Sequence, residues 1–184
     1  MRTDKRALES AIREGFDLAG ADLRGGDFAD AHLSKVCLIS ARLDGAQLNG
    51  ARLNRANLGR ASLFQTNFEG AEMVGINLHM ADLRYTNLVD AKLHNAFMEG
   101  ANLERALLRR AEFTGGTARI ANFTKASLES VNFNGATIVG TNFYRACRRG
   151  AILSGCHMRN ANFTKADLRG AEIAKDKNCA KVAS

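Results

Sequence analysis

The sequence predicts an all-β fold, a solenoid with four flat sides in which the chain completes one coil every twenty residues. Two observations predict it. A large apolar residue recurs at every fifth position from Leu18 onward, with a small residue two positions before it. Phenylalanines at the large positions, such as Phe123 and Phe143, pair at a separation of twenty residues and never at fifteen.

The five-residue pattern runs without a break from residue 16 to residue 175. Only Ala118 and Arg148 among the 32 large positions are not Leu, Phe, Met or Ile, and Ala occupies 22 of the 32 small positions. A period of five excludes a continuous helix, because 3.6 residues per turn would spread the stripe over the whole helix surface. In an extended segment, residues two apart point to the same side, so the small and the large residue both face inward.

The last two residues of each unit must turn the chain. Most of the 17 glycines stand at the second of these positions, where a type II turn requires a positive φ. Each unit is therefore predicted to be a short strand followed by a corner. With four units per coil, residues 16–175 form about eight coils, and stacking at roughly 4.8 Å gives a rod about 38 Å long.

The two ends of a solenoid need covers, because an uncovered coil leaves its core open to water. Residues 1–15 are predicted to be an N-terminal helical cap in which Thr3 is the N-cap and Leu8, Ala11 and Ile12 share one face. Residues 176–184 are assigned as a C-terminal tail or cap.

Two units break the pattern. Ala118 would leave a void beside Met98 and Ile138, and local repacking is expected there. Arg148 stands at a large inward position, where an unpaired guanidinium is very costly to bury. We therefore expect residues 146–150 to bulge, turning Arg148 outward and placing Cys147 in the core.

The chain carries no pattern typical of a catalytic or metal site. Its four histidines occupy dispersed outward positions, and its four cysteines form no CxxC pair. Cys156 falls on a small inward position and is predicted to be a core residue. We expect no enzyme activity, no cofactor, no metal and no small-molecule substrate. No apolar run of about 18 residues suggests a membrane span, and the charged start is unlike a signal peptide, so we expect a cytoplasmic protein.

The surface signal is the placement of charge. Residues 1–92 carry 12 basic and 12 acidic side chains, whereas residues 93–184 carry 14 and 7, so the whole net charge of +7 lies in the second half. The coil period aligns Arg105, Lys125, Arg145 and Lys165 in one column. Stacking like charges costs stability, which favours a functional role, although a charged surface also serves solubility. The predicted surface for an anionic partner comprises Tyr85, Arg105, Arg109, Arg110, Lys125, Tyr144, Arg145, Arg149, Lys165 and Arg169.

Three classes of anionic partner fit this surface: an acidic protein, nucleic acid or an anionic membrane. Tyr85 and Tyr144 flank the column and are able to stack on a base or a guanidinium. A second side carries outward apolar residues, which favours self-association as a homodimer. These residues are Ile39, Met80, Phe97, Ile120 and Val139.

Units such as Ala21–Gly25 (ADLRG), Ala101–Arg105 (ANLER) and Ala161–Lys165 (ANFTK) resemble the A(D/N)LXX motif of the pentapeptide repeat family. The resemblance extends over all 32 units of residues 16–175. It implies a right-handed quadrilateral parallel β-helix with an interior of Leu, Phe and Ala; the handedness comes from the resemblance alone.

The leading functional hypothesis is a non-catalytic interaction or scaffold protein whose rigid rod binds a macromolecular partner. The resemblance implies an alternative, because some family members mimic duplex DNA, bind DNA gyrase or topoisomerase IV and confer quinolone resistance. This chain departs from them in its pI of about 9.6 and in having no loop insertion in its repeat register. Its neutral first half retains Asp17, Asp22, Asp27 and Asp30 for a local acidic face. A secreted effector is a third hypothesis.

Overall fold

The computed structural model describes residues 4–172, and in them the chain winds as a four-sided solenoid. Parallel β-bridges join residues twenty apart along the rod, from Asp22 with Arg42 to Ile152 with Glu172. Each side contributes isolated bridges centred on the outward residue of a unit rather than a longer strand. The N–H of Leu23 donates to the carbonyl of Arg42 at 2.7 Å, and the N–H of Arg42 donates to the carbonyl of Ala21 at 2.9 Å. The backbone ladder therefore fixes the twenty-residue circuit.

The corners have the predicted turn geometry. The residue whose number ends in 0 or 5 has a positive φ throughout, at glycines such as Gly20 and at many other residue types. The N–H of the next residue closes the turn, as when Ala21 donates to the carbonyl of Leu18 at 3.1 Å. Ile120, with φ 51°, is the β-branched residue found in this conformation among the described residues, and β-branched side chains tolerate it poorly.

The inward positions form one continuous core. Large residues such as Leu63, Leu83 and Leu103 lie on successive coils and are fully buried. The rings of Phe143 and Phe163 stack with centroids 5.2 Å apart. Polar residues at small inward positions are satisfied by backbone carbonyls: the hydroxyls of Thr66, Thr86 and Thr141 donate at 2.7–2.8 Å, and Cys156 lies in the core with its Sγ 2.9 Å from the carbonyl oxygen of Phe133.

The N-terminal end carries a helix, α1 (Lys5–Arg13). Its N-cap is Asp4, whose carboxylate accepts from the N–H of Ala7 at 2.9 Å. The sequence prediction named Thr3, which lies outside the described residues, as do residues 173–184 with the predicted tail. Leu8 is buried in the solenoid core and Ile12 packs against it. Within residues 4–172, no helix has the length and apolarity to cross a bilayer.

Arg148 does not turn outward, and the predicted bulge at residues 146–150 is wrong. The bridge between Cys147 and Asp167 is intact, and the N–H of Arg148 donates to the carbonyl of Asp167 at 2.9 Å. Arg148 is fully buried, and its guanidinium nitrogens have no hydrogen-bond partner among the described residues. Cys147 stays on the outer side, with its Sγ 3.6 Å from the Glu129 carboxylate. The ladder on both sides holds the register, because everting Arg148 would break these backbone bonds.

The unit that contains Ala118 lies close to the ring of Phe113. Ala118 is fully buried in the expected register. In the same unit, a Cβ on Gly116 would lie only 2.7–2.9 Å from three atoms of the Phe113 ring. The absence of a side chain at Gly116 thus leaves room for Phe113 to lie across this part of the core.

Candidate functional site

Four cations occupy one corner of the rod on successive coils: Arg105, Lys125, Arg145 and Lys165, called here the basic corner. All four are exposed and are the last residues of their five-residue units, with φ of 57–59°. The bridges between Asn102, Asn122, Asn142 and Asn162 place their units directly above one another. Successive cations are therefore separated by one coil, about 4.8 Å along the rod.

Both predicted tyrosines lie on the basic corner and hold its cations. The Arg105 guanidinium carbon lies 5.5 Å from the centroid of the Tyr85 ring, and Arg105 Nη1 donates to the Tyr85 hydroxyl at 2.9 Å. The ring of Tyr144 lies 5.2 Å from the Arg145 guanidinium carbon and 6.0 Å from Lys165 Nζ. Cation–π contacts of this kind orient a cation without neutralising its charge.

Carboxylates offset little of this charge. Arg105 lies 3.9 Å from the carboxylate of Glu104. Lys125, Arg145 and Lys165 form no ion pair with any carboxylate in residues 4–172. Three adjacent cations thus face solvent without a counter-charge, in a geometry set by the backbone ladder.

The neighbouring arginines of the predicted surface are, by contrast, mostly paired. Arg110 Nε donates to the carboxylate of Asp90 at 2.6 Å, and this contact lowers the pKa of Asp90. Arg169 and Arg149 share the carboxylate of Asp167 at 2.7 and 3.1 Å, and their hydrogen bonds hold its pKa well below the usual range. These three arginines face two carboxylates, so together they contribute one uncompensated positive charge. Arg109 is exposed and forms no ion pair with the described residues.

Cation–aromatic contacts beside the basic corner extend further toward the N-terminus than the sequence prediction placed the surface. The Arg84 guanidinium carbon lies 5.6 Å from the centroid of the Phe64 ring, and this ring meets Tyr85 edge to face at 5.5 Å. Asp82 holds Arg84 through a hydrogen-bonded ion pair at 2.7 Å, so Arg84 brings an aromatic contact and little free charge. This contact was predictable from the sequence, because Phe64 and Arg84 are twenty residues apart and therefore lie on adjacent coils.

The arrangement is suited to binding an extended anion. In residues 4–172, no group of three or more His, Cys, Asp or Glu side chains is placed to hold a metal ion. Aligned cations on a rigid corner attract polyanions electrostatically, and the attraction falls as salt screens it.

A family model described as "Pentapeptide repeats" matches the chain in eight copies, over residues 14–46, 41–79, 86–119, 121–147 and 149–173. No curated protein matches the chain.

Several solved structures of pentapeptide repeat proteins and related resistance proteins are similar to this chain. HetL, a pentapeptide repeat protein involved in heterocyst differentiation regulation in Nostoc sp. strain PCC 7120, is 23% identical, with 94% of each chain covered and a TM-score of 0.40. A trypsin-treated variant of QnrB1, a plasmid-mediated fluoroquinolone resistance protein, is 20% identical, with 86% of each chain covered and a TM-score of 0.43. A pentapeptide repeat protein of the Arabidopsis thaliana thylakoid lumen is 28% identical over 62% of this chain and 69% of its own, with a TM-score of 0.34.

Proposed function

Since this chain belongs to the pentapeptide repeat family, we propose that it is a non-catalytic, cytoplasmic interaction protein that binds an anionic macromolecule through the basic corner. The proposal includes a right-handed rod of about eight coils, with α1 as the cover of its N-terminal end. The observation that carries the function is the alignment of Lys125, Arg145 and Lys165, none of which has a carboxylate partner among residues 4–172.

The cost of this alignment supports a functional role. Cations one coil apart repel each other, and each occupies a positive-φ position that glycine would fill without strain. The units of Gly45, Gly75 and Gly135 show that the fold accepts glycine at such corners. Tyr85 and Tyr144 hold the adjacent cations in place, which reduces the side-chain entropy lost on binding.

Charge reversal on the corner tests the proposal. The triple variant Arg105→Glu, Lys125→Glu, Arg145→Glu is compared with the wild type for affinity to heparin, duplex DNA and a polyglutamate peptide. We expect salt-sensitive binding of the wild type to at least one of these probes and a loss of about tenfold or more in the variant, since like charges then face the ligand. Which probe binds most tightly identifies the class of partner.

A matched control separates the corner from net charge. The triple variant Lys35→Glu, Arg55→Glu, Arg60→Glu makes the same change in charge at exposed, positive-φ corner positions in the first half of the rod. The control should retain most of the wild-type affinity. Equal losses of affinity in the two triple variants would show that net charge, and not the basic corner, governs binding. A wild type that binds none of the three probes would refute the proposal.

The alternative partner, DNA gyrase or topoisomerase IV, stays a prediction. A supercoiling assay with added protein, with and without a quinolone, tests it directly. If micromolar protein causes no inhibition of supercoiling and gives no protection against the quinolone, this alternative is excluded.

A further inference from the structure

One side of the rod carries an apolar patch whose corner residues lie one five-residue unit before those of the basic corner. Its members, Met80, Phe97 and Ile120, lie on three successive coils and are 55%, 53% and 66% exposed. Val139 follows on the next coil and is half-buried. We call these four residues the apolar side. Large exposed side chains clustered in this way are uncommon on a monomer surface and mark interaction sites.

The backbone shows that one member is retained at a cost. Ile120 has a φ of 51°, a conformation in which a β-branched side chain is strained. Glycine fills the same column on the coils before and after it, at Gly100 and Gly140. Because Ile120 is 66% exposed, its side chain gains little from burial, and we take the strain as a sign of a role at the surface.

The side also carries two charges that are unpaired within the described part of the chain. Glu99 and Arg119 are exposed, lie in the same column on adjacent coils, and form no ion pair within residues 4–172. The charges and the bulky residues therefore occur in a defined order along the rod. One column reads His79, Glu99, Arg119, Val139, and the next reads Met80, Gly100, Ile120, Gly140.

We propose that two copies of this chain associate through the apolar side with their rods antiparallel. The twofold axis passes between the coil of Phe97 and the coil of Thr117. Each coil of one copy therefore faces the coil of the other copy that lies at the same distance from the axis on its opposite side. Glu99 of one copy then faces Arg119 of the other, which pairs the two free charges twice. Ile120 then faces Gly100 and Met80 faces Gly140, while Phe97 faces Thr117 and Val139 faces His79.

Other arrangements of the same side are unfavourable. Parallel rods would place Glu99 against Glu99 and Arg119 against Arg119. An antiparallel pair shifted by half a coil would centre on one of these residues, with the same repulsion, and would also oppose Met80 to Ile120 or Ile120 to itself. Like charges in contact cost several kcal/mol. The apolar contact area is small, so the dimer is weak and concentration-dependent.

Sedimentation velocity of the full chain over a concentration series tests the pairing. The wild type should show a reversible monomer–dimer equilibrium. Glu99→Arg and Arg119→Glu should each weaken dimerisation by about tenfold or more, because each variant places like charges opposite one another. An equimolar mixture of the two variants should recover dimers, because position 99 of one chain then again faces an opposite charge at position 119 of the other. A wild type that stays monomeric up to about 1 mM, or single variants that dimerise as the wild type does, would overturn the proposal.

Two further variants check the apolar contact. Ile120→Gly relieves the strained φ, so the monomer folds more stably while its dimer weakens. Leu107→Ser is the matched control, since Leu107 is an exposed apolar residue on a different side of the rod, and it should leave dimerisation unchanged. Weakening by Leu107→Ser equal to that by Ile120→Gly would contradict the assignment of the interface.

Discussion

The guanidinium carbon of Arg148 lies 4.1 Å from the centroid of the Phe143 ring, inside the core of the solenoid. The ring of Phe163 lies 4.6 Å away and that of Phe133 5.5 Å away. The charge is thus stabilised by aromatic rings, while its nitrogens have no hydrogen-bond partner among the described residues. Cation–π contacts are worth about 2 kcal/mol when desolvated, which offsets only part of the cost of burying a charge.

Replacing Arg148 by an uncharged chain of similar shape should stabilise the protein. We expect Arg148→Met to raise the free energy of unfolding by about 1–4 kcal/mol, because it removes a buried charge that has no carboxylate partner among residues 4–172. Denaturant unfolding measures this, with Arg145→Met as the control, since Arg145 is an exposed cation three positions away. An Arg148→Met variant less stable than the wild type would contradict the burial described above.

The same burial makes the stability of the folded chain change with pH in the alkaline range. Desolvation lowers the pKa of Arg148 to about 9 in the folded chain. Above that pH the folded state releases the proton while the unfolded state keeps it, so this residue's contribution to stability rises with pH. The stability advantage of Arg148→Met over the wild type should therefore shrink between about pH 8 and about pH 11, by at most about 1.4 kcal/mol per pH unit. Unfolding curves of both proteins across this range measure the difference, and a constant advantage would contradict the prediction.

The strained corner at Ile120 predicts a second stabilising change. Ile120→Gly should raise the free energy of unfolding by about 1 kcal/mol, because glycine adopts a positive φ without a steric penalty. Ile39→Gly is the control: Ile39 lies on the same side of the rod but has no positive φ, so glycine there should destabilise. Measurement at low protein concentration avoids any contribution from association. Loss of stability in Ile120→Gly would show that the isoleucine is not strained.

The close approach of Phe113 to Gly116 predicts a sensitive position. Gly116→Ala places a Cβ 2.7 Å from the ring, and we expect a loss of about 1–3 kcal/mol from overpacking. Gly59→Ala should cost less, because its Cβ would come no closer than 3.3 Å to a side-chain oxygen of Asn57. Adding Phe113→Leu to Gly116→Ala should recover part of the loss; no recovery would mean that the ring is not the cause.

Much of this structure was accessible from the sequence, because one periodic constraint governs nearly every residue. The five-residue spacing determined which side chains face inward, and the pairing of Phe123 with Phe143 determined the circuit. The same circuit brought Lys125 next to Arg145 and Lys165. Solenoids allow this because each coil contacts only its neighbours.

The failures occurred where a local energetic rule competed with the ladder. Arg148 was expected to leave the core because isolated burial of a charge is unfavourable, yet the hydrogen bonds on both sides of its unit hold it in register among phenylalanine rings. The pairing of Arg110 with Asp90 was missed, although the predicted twenty-residue circuit placed the two residues side by side. Asp4 was overlooked as the N-cap because Thr3 also fits that role by residue type.

The salt dependence of polyanion binding tests the basic corner most directly. The slope of log affinity against log salt concentration reports how many ligand charges the protein neutralises. We predict that the slope becomes shallower by about one for each cation removed in the series Lys125→Gln, then Arg145→Gln, then Lys165→Gln. Removal of Lys35, Arg55 and Arg60 in the same way should leave the slope unchanged. An equal reduction in both series, or none in the first, would contradict the assignment of the binding surface to this corner.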